Sequence, residues 1–195
     1  MNLANKITIA RILLIPVFIL LFPLYPDGLV SKSAMLLHLD AYGIYYAAIV
    51  FILASATDKL DGHIARKYNQ VTNIGKLLDP LADKLLIAAA LILMVSEQMI
   101  YTWIAVAIIG REMIITGIRM VAASQKIALQ ADQFGKIKMV SQVVAIAAVL
   151  LNNLPFRFFT NMAVDQILMH VALILTIYSG YNYIKKNFRL LKLDL

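Results

Sequence analysis

Six long apolar stretches alternate with short polar segments along this chain of 195 residues and limit how it can fold. They cover about residues 9–24, 43–67, 76–96, 101–125, 136–154 and 165–187. A helix needs about 20 mainly apolar residues to cross the roughly 30 Å hydrocarbon core of a bilayer. Hydrophobic residues make up 62% of the chain, whereas about half is usual for a soluble domain. We therefore predict an all-α, polytopic membrane protein with six transmembrane helices, forming one domain over residues 1–195.

At the N-terminus, a short segment that contains polar residues precedes the first apolar stretch. Residues 2–10 predict a short amphipathic segment. The apolar run then continues through Phe22 and Tyr25 without a small-residue cleavage pattern, so we expect a retained helix rather than a cleaved signal peptide. The chain contains no cysteine, which excludes disulfides, thiolate catalysis and cysteine-ligated zinc.

The distribution of Lys and Arg predicts the orientation in the membrane. With both termini cytoplasmic, the outer loops 26–42, 97–100 and 155–164 contain only Lys32 and Arg157 of the eighteen Lys and Arg residues. Because cytoplasmic loops carry an excess of these residues, we predict a multi-pass membrane protein with both termini and the polar segment 56–86 on the cytoplasmic side. The basic tail 185–192 is expected to lie along anionic lipid headgroups. Membrane lipids are thus expected partners, and nucleic acid is not.

Four aspartates, at positions 58, 61, 79 and 83, stand between two apolar stretches. Asp58 and Asp61 are three residues apart and Asp79 and Asp83 four apart, so each pair occupies one helix face. Four facing carboxylates would repel unless cations lay between them. Oxygen ligands select hard ions, and two such ions can clamp an in-line phosphoryl displacement. We therefore predict two divalent cations, Mg²⁺ or Mn²⁺.

Small and basic residues accompany these carboxylates. Gly62 and Gly75 would let a nucleotide or phosphate approach the backbone, and Arg66 could bind a phosphate with its guanidinium fork. In the alternative interpretation, the aspartates are interfacial and pair with nearby basic residues, namely Lys59, Arg66, Lys67, Lys76 and Lys84. Two carboxylates on each of two helix faces favour a functional site over that alternative.

The segment reads D-x-x-D-G-x-x-A-R, eight residues, then G-x-x-x-D-x-x-x-D. It resembles the motif of the CDP-alcohol phosphatidyltransferases, whose defined positions are filled here by Asp58, Asp61, Gly62, Ala65, Arg66, Gly75, Asp79 and Asp83. The resemblance implies a homodimer with a cytoplasm-facing site between helices. It implies that the four aspartates bind two divalent cations, and that Asp58, Asp61, Gly62, Ala65, Arg66 and Gly75 bind CDP-diacylglycerol. It also implies that Asp83 is the general base.

Further stretches resemble the bacterial phosphatidylglycerophosphate synthases within that family. The likeness rests on Asn5, Thr8, Arg11 and Pro16, and on Arg111, Glu112, Thr116, Gly117, Arg119, Gly135, Lys136, Lys138 and Gln142. It implies sn-glycerol 3-phosphate as the acceptor, bound by Arg111, Arg119, Lys136, Lys138, Thr8 and Arg11. The chain departs from the usual pattern at Ala4, where proline is common, at Met139, where threonine is common, and at His63, where an aromatic residue is typical.

The charge of this acceptor agrees with the basic residues. Glycerol 3-phosphate is a dianion, and Arg111 and Arg119 lie eight residues apart on roughly one side of a helix. Arginines buried in an apolar helix need anionic partners. Since Glu112 is adjacent to Arg111 and about 100° away around the helix, we do not expect it to serve both arginines.

Two alternatives remain open. One is the same chemistry with another acceptor, such as phosphatidylglycerol, serine or inositol. The other is a cation- or proton-coupled transporter, which would be expected to show inverted repeats and broken helices, and neither is evident in the sequence.

Overall fold

The computed structural model describes residues 3–67, 73–125, 127, 129–130 and 134–188, with side chains except those of 3–8, 27, 58–67, 73–80, 83 and 155. All regular elements among these residues are helices. The long ones are α1 (Leu3–Leu21), α3 (Ala34–Lys67), α4 (Asn73–Ser96), α5 (Thr102–Ser124), α6 (Phe134–Leu150) and α8 (Val164–Asn187). Two four-residue helices, α2 (Asp27–Val30) and α7 (Leu154–Arg157), lie between them. The predicted all-α class is confirmed.

Some predicted boundaries are wrong. Helix α3 begins at Ala34 rather than Gly43, so much of the predicted outer loop 26–42 is helical. His38 and Asp40 interrupt the apolar run there, but polar side chains do not interrupt helical backbone hydrogen bonding. Helix α6 ends at Leu150 rather than Leu154. Helix α1 runs unbroken from Leu3, so the predicted amphipathic segment is the first part of that helix.

The apolar surface of the helices favours a membrane protein. Two segments are long and apolar enough to cross a bilayer, Ala34–Thr57 and Val164–Asn187, and two shorter apolar helical segments are Ile9–Leu21 and Lys84–Ser96. Large apolar side chains are also exposed on the outer faces of the helices, including Leu13, Ile49, Ile92, Ile114 and Ile174. Helices that are apolar on both their inner and outer faces are typical of membrane spans. The full set of six spans stays a prediction.

The helices pack against one another so that four of them surround a cavity. Helix α1 packs against α3 and α4, helix α8 against α5 and α6, and α4 also contacts α3, α5 and α6. Phe18 lies in the core against Phe22 and Phe51, with ring centroids 5.7 and 6.1 Å apart. Helices α4, α5, α6 and α8 together enclose the cavity that forms the candidate site.

A glycine permits the closest approach between α1 and α3. A Cβ atom at Gly43 would clash with the backbone oxygen of Leu21, and that oxygen cannot move without shifting the end of α1. Small residues let helix backbones approach in this way within membranes.

We expect Gly43→Ala to lower the stability by about 1–3 kcal/mol, the usual effect of overpacking. Thermal unfolding of the purified protein in detergent measures the change. Gly28→Ala is the matched control, because nothing lies within 4 Å of a Cβ atom at Gly28. Equal stability of the two variants would contradict this close helix contact.

Candidate acceptor site

A basic cavity of about 330 Å³ lies between four helices, near the lower end of the range for small-molecule sites. Its polar lining comes from Lys84 on α4, from Arg111, Glu112, Thr116 and Arg119 on α5, from Lys136 and Lys138 on α6, and from Ser179 and Tyr183 on α8. Apolar residues such as Ile87, Ile108 and Met139 complete the wall. Positive side chains thus meet in a mainly apolar helix bundle.

The basic residues predicted from the sequence are brought together here. Arg111, Arg119, Lys136 and Lys138 all line this cavity. The two arginines do so because two helical turns separate them, and Lys138 reaches Glu112 of α5 from the first turns of α6. Arg11 is different: it is buried in α1, only 1% exposed, and does not line the cavity. The side chain of Thr8 lies outside the described part of the chain.

Among the described side chains that line this cavity, Glu112 is the one carboxylate. Its Oε1 accepts a hydrogen bond from Arg111 Nη1 at 3.2 Å and also pairs with Lys138 Nζ. As expected, Glu112 does not serve both arginines: the long side chains of Glu112 and Arg111 bend toward each other, whereas the hydrogen bond of Arg119 goes to Tyr183. The side chains of Arg111, Glu112 and Lys138 are 15%, 17% and 7% exposed, so water compensates little of their charge.

Lys84 connects the cavity to the helix that carries two of the motif aspartates. Its Nζ donates to Thr116 Oγ1, and the Thr116 hydroxyl donates to the Glu112 backbone oxygen at 2.6 Å. Lys84 directly follows Asp83 in α4. Sequence reasoning treated Lys84 only as a possible interfacial partner of the aspartates and missed its place in the cavity.

Helix α8 contacts both arginines, a role that was not predicted. Ser179 Oγ accepts a hydrogen bond from Arg111 Nη2 at 2.8 Å. Tyr183 OH accepts one from Arg119 Nε at 3.2 Å, and the Arg119 guanidinium carbon lies 5.0 Å from the centroid of the Tyr183 ring, within cation–π range. The sequence contains a signal for a polar face on α8. Polar residues recur there every three or four positions in an apolar helix, and all of them are buried: Thr176, Ser179, Tyr183 and Asn187.

The aspartate motif lies at the ends of two consecutive helices. Asp58 and Asp61 belong to the last ten residues of α3, Asp79 and Asp83 lie in α4, and the two helices contact each other. The side chains of the motif residues, including Gly62, Ala65, Arg66 and Gly75, lie outside the described ones. Among the described side chains, no group of three or more His, Cys, Asp or Glu could hold a metal ion. The oxygen-only donor set of the four aspartates fits hard divalent ions, and the metal site stays a prediction.

Comparison with known proteins identifies the family. Residues 1–178 match the family model described as CDP-alcohol phosphatidyltransferase. The chain belongs to this family. Among its relatives, a Bacillus subtilis (strain 168) protein is 45% identical over 195 residues, covering 98% of this chain and 97% of its own. A Rickettsia typhi protein is 35% identical, covering 94% and 96%, and an Escherichia coli (strain K12) protein is 32% identical, covering 94% and 93%.

These three relatives carry the same name, CDP-diacylglycerol–glycerol-3-phosphate 3-phosphatidyltransferase. The likeness extends over nearly the whole length of each protein. As a member of the family, this chain is a transferase.

Gly180 gives Arg111 room against α8. A Cβ atom there would lie 3.1 Å from Arg111 Cγ and 3.3 Å from Arg111 Nε. Since Ser179 and Glu112 already hold the far end of Arg111, that side chain has little freedom to move aside.

We expect Gly180→Ala to displace Arg111 and raise the KM for the acceptor severalfold. Steady-state kinetics with the acceptor as the varied substrate measure this. Gly110→Ala on α5 is the control, because a Cβ atom there has nothing within 4 Å and alanine favours a helix by up to about 1 kcal/mol over glycine. A KM equal to that of the wild-type protein would show that Arg111 does not need this space.

Proposed function

We propose that this protein transfers the phosphatidyl group of CDP-diacylglycerol to sn-glycerol 3-phosphate, giving phosphatidylglycerophosphate and CMP. The observation that carries the acceptor assignment is the convergence of Arg111, Arg119, Lys136 and Lys138 on one cavity. A phosphate monoester supplies the negative charge that such a cavity favours, whereas serine and inositol carry no phosphate. The names of the relatives support the same reaction.

The cavity adjoins the proposed reaction centre through α4. Lys84 lines the cavity, and Asp79 and Asp83 precede it by five residues and one residue in the same helix. An acceptor whose phosphate lies among the basic residues would therefore have its hydroxyl end close to α4. This arrangement separates the recognition of the acceptor phosphate from the chemistry.

Asp58, Asp61, Asp79 and Asp83 would hold two divalent cations, Mg²⁺ or Mn²⁺. When bound, such ions neutralise the negative charge of the diphosphate and of the transition state. Around CDP-diacylglycerol, Gly62, Ala65 and Gly75 leave space for the CMP moiety, and Arg66 offers a guanidinium fork to phosphate.

The reaction proceeds as a direct displacement. Asp83 accepts the proton of the terminal hydroxyl of glycerol 3-phosphate as general base. The hydroxyl oxygen then forms a bond to the β-phosphorus of CDP-diacylglycerol, while the bond from that phosphorus to the oxygen bridging to CMP breaks. CMP leaves with the electron pair, and the basic cavity keeps the acceptor in line with the breaking bond.

The location of the protein follows the same proposal. CDP-diacylglycerol keeps its acyl chains in the bilayer, so six spans would place the aspartate ends of α3 and α4 at the membrane surface. The excess of Lys and Arg outside the predicted outer loops supports a cytoplasmic active site with both termini on the same side. A homodimer is proposed from the family resemblance.

The direct test is CMP release from CDP-diacylglycerol by purified protein, with glycerol 3-phosphate, serine, inositol or phosphatidylglycerol supplied separately. We expect release with glycerol 3-phosphate alone, and loss of release when EDTA removes divalent ions. Release with another alcohol would overturn the acceptor assignment but keep the reaction class. No release with any acceptor would favour the transporter.

Asp83→Asn tests the assignment of the general base. We expect kcat to fall by about 100-fold or more, as removal of a general base usually does, because the amide cannot accept the hydroxyl proton. The matched control is Asp40→Asn, which removes an exposed carboxylate at the other end of α3 and should keep wild-type kinetics. An Asp83→Asn variant that retains full kcat would contradict the assignment.

A further inference from the structure

The two arginines of the cavity are held in different ways. Arg111 is bound at both terminal nitrogens, Nη1 by Glu112 at 3.2 Å and Nη2 by Ser179 at 2.8 Å. Its Nε is buried without a hydrogen-bond partner and packs against Gly180. All three nitrogens of Arg111 therefore face protein groups.

Arg119 is held through Nε alone. Tyr183 OH accepts its one hydrogen bond, at 3.2 Å, and the Tyr183 ring lies beneath the guanidinium. Its Nη1 and Nη2 make no hydrogen bond or ion pair with the side chains that the structure describes. Arg119 is also exposed, whereas Tyr183 is only 2% exposed. A guanidinium fixed at Nε presents two parallel N–H groups to a phosphate.

The ion pairs and hydrogen bonds around Arg111 and Glu112 connect three helices. Glu112 pairs with Lys138 of α6 as well as with Arg111 of α5, and Ser179 belongs to α8. The chain Lys138–Glu112–Arg111–Ser179 therefore connects α6, α5 and α8 across the back of the cavity. Removing one member of a buried charge pair leaves the other uncompensated, so this chain resists opening.

We propose that the two arginines have different roles in the reaction proposed above. Arg111 is a positioning residue that joins α5 directly to α8 and, through Glu112, to Lys138 of α6. Arg119 is the arginine that binds the acceptor phosphate, and Tyr183 is the residue that positions it. The role of Arg119 rests on the proposed function, because that function identifies the phosphate ligand. The role of Arg111 in joining the helices does not depend on it.

The test compares Arg119→Lys with Arg111→Lys by steady-state kinetics and by thermal unfolding. Lysine keeps the positive charge but loses the planar fork. Arg119→Lys should raise the KM for glycerol 3-phosphate by about 30-fold, with the KM for CDP-diacylglycerol and the unfolding temperature unchanged. Arg111→Lys cannot bind Glu112 and Ser179 together, so it should lower the unfolding temperature by about 3–6 °C and alter the KM of both substrates.

The hydroxyl of Tyr183 provides a milder test. Tyr183→Phe keeps the ring and removes the acceptor for Arg119 Nε, so we expect the KM for glycerol 3-phosphate to rise about 5- to 10-fold with kcat retained. Tyr178→Phe is the matched control, because Tyr178 is exposed on the same helix and lies outside the cavity. An unchanged KM in Tyr183→Phe would overturn the positioning role of Tyr183.

One result would overturn the division as a whole: an Arg111→Lys variant of wild-type stability whose acceptor KM rises as much as that of Arg119→Lys. If Arg111→Lys cannot be purified, Ser179→Ala carries the same test by removing a single hydrogen bond, with Ser96→Ala as its control outside the cavity. Ser179→Ala should then lower the unfolding temperature, and an unchanged temperature would count against Arg111 as a helix-joining residue. If the wild-type protein uses only another alcohol, the proposed function fails, while the unfolding temperatures still test Arg111.

Discussion

A carboxylate shared by two largely buried cations links helices α5 and α6. Glu112 compensates Arg111 and Lys138 where little water reaches them, and each unpaired charge there would cost several kcal/mol. Separating α5 from α6 would break the pair between Glu112 and Lys138 and leave buried charge uncompensated, which would raise the free energy by that amount. The cavity beside Arg111, Glu112 and Lys138 also carries the positive charges of Arg119 and Lys136. This additional positive charge favours the binding of an anionic acceptor.

Small and hydroxyl-bearing residues on α8 allow the charged cluster to be packed. Gly180 leaves room for the stem of Arg111, and Ser179 satisfies one of its terminal nitrogens. The same helix continues its polar face with Thr176, which accepts a hydrogen bond from buried Gln142 of α6 at 2.8 Å. Interhelical hydrogen bonds of this kind, together with close backbone approach, hold helices together where apolar burial alone drives little association.

The features of the fold and of the site that depend on local helical periodicity could be predicted from the sequence. The helical period places Arg111 and Arg119 on one side of α5 and spaces the aspartates within α3 and α4, and the helical class followed from the apolar stretches. The partners of the arginines could not be predicted in the same way, because Ser179 and Tyr183 lie more than sixty residues away in the chain. The pairing of Glu112 with Arg111 and Lys138 could not be predicted from the helical period, because backbone direction does not fix where a long side chain ends. Arg11 was grouped with the acceptor by resemblance, but it is buried in α1 away from the cavity lining.

The most direct measurement of the central claim is calorimetric binding of sn-glycerol 3-phosphate to the purified protein, beside glycerol as the uncharged counterpart. The account predicts saturable binding of the phosphate ester, no detectable binding of glycerol, and loss of binding in Arg119→Glu. Equal binding of glycerol, or undiminished binding of glycerol 3-phosphate by Arg119→Glu, would show that the positive charge of this cavity does not select the acceptor.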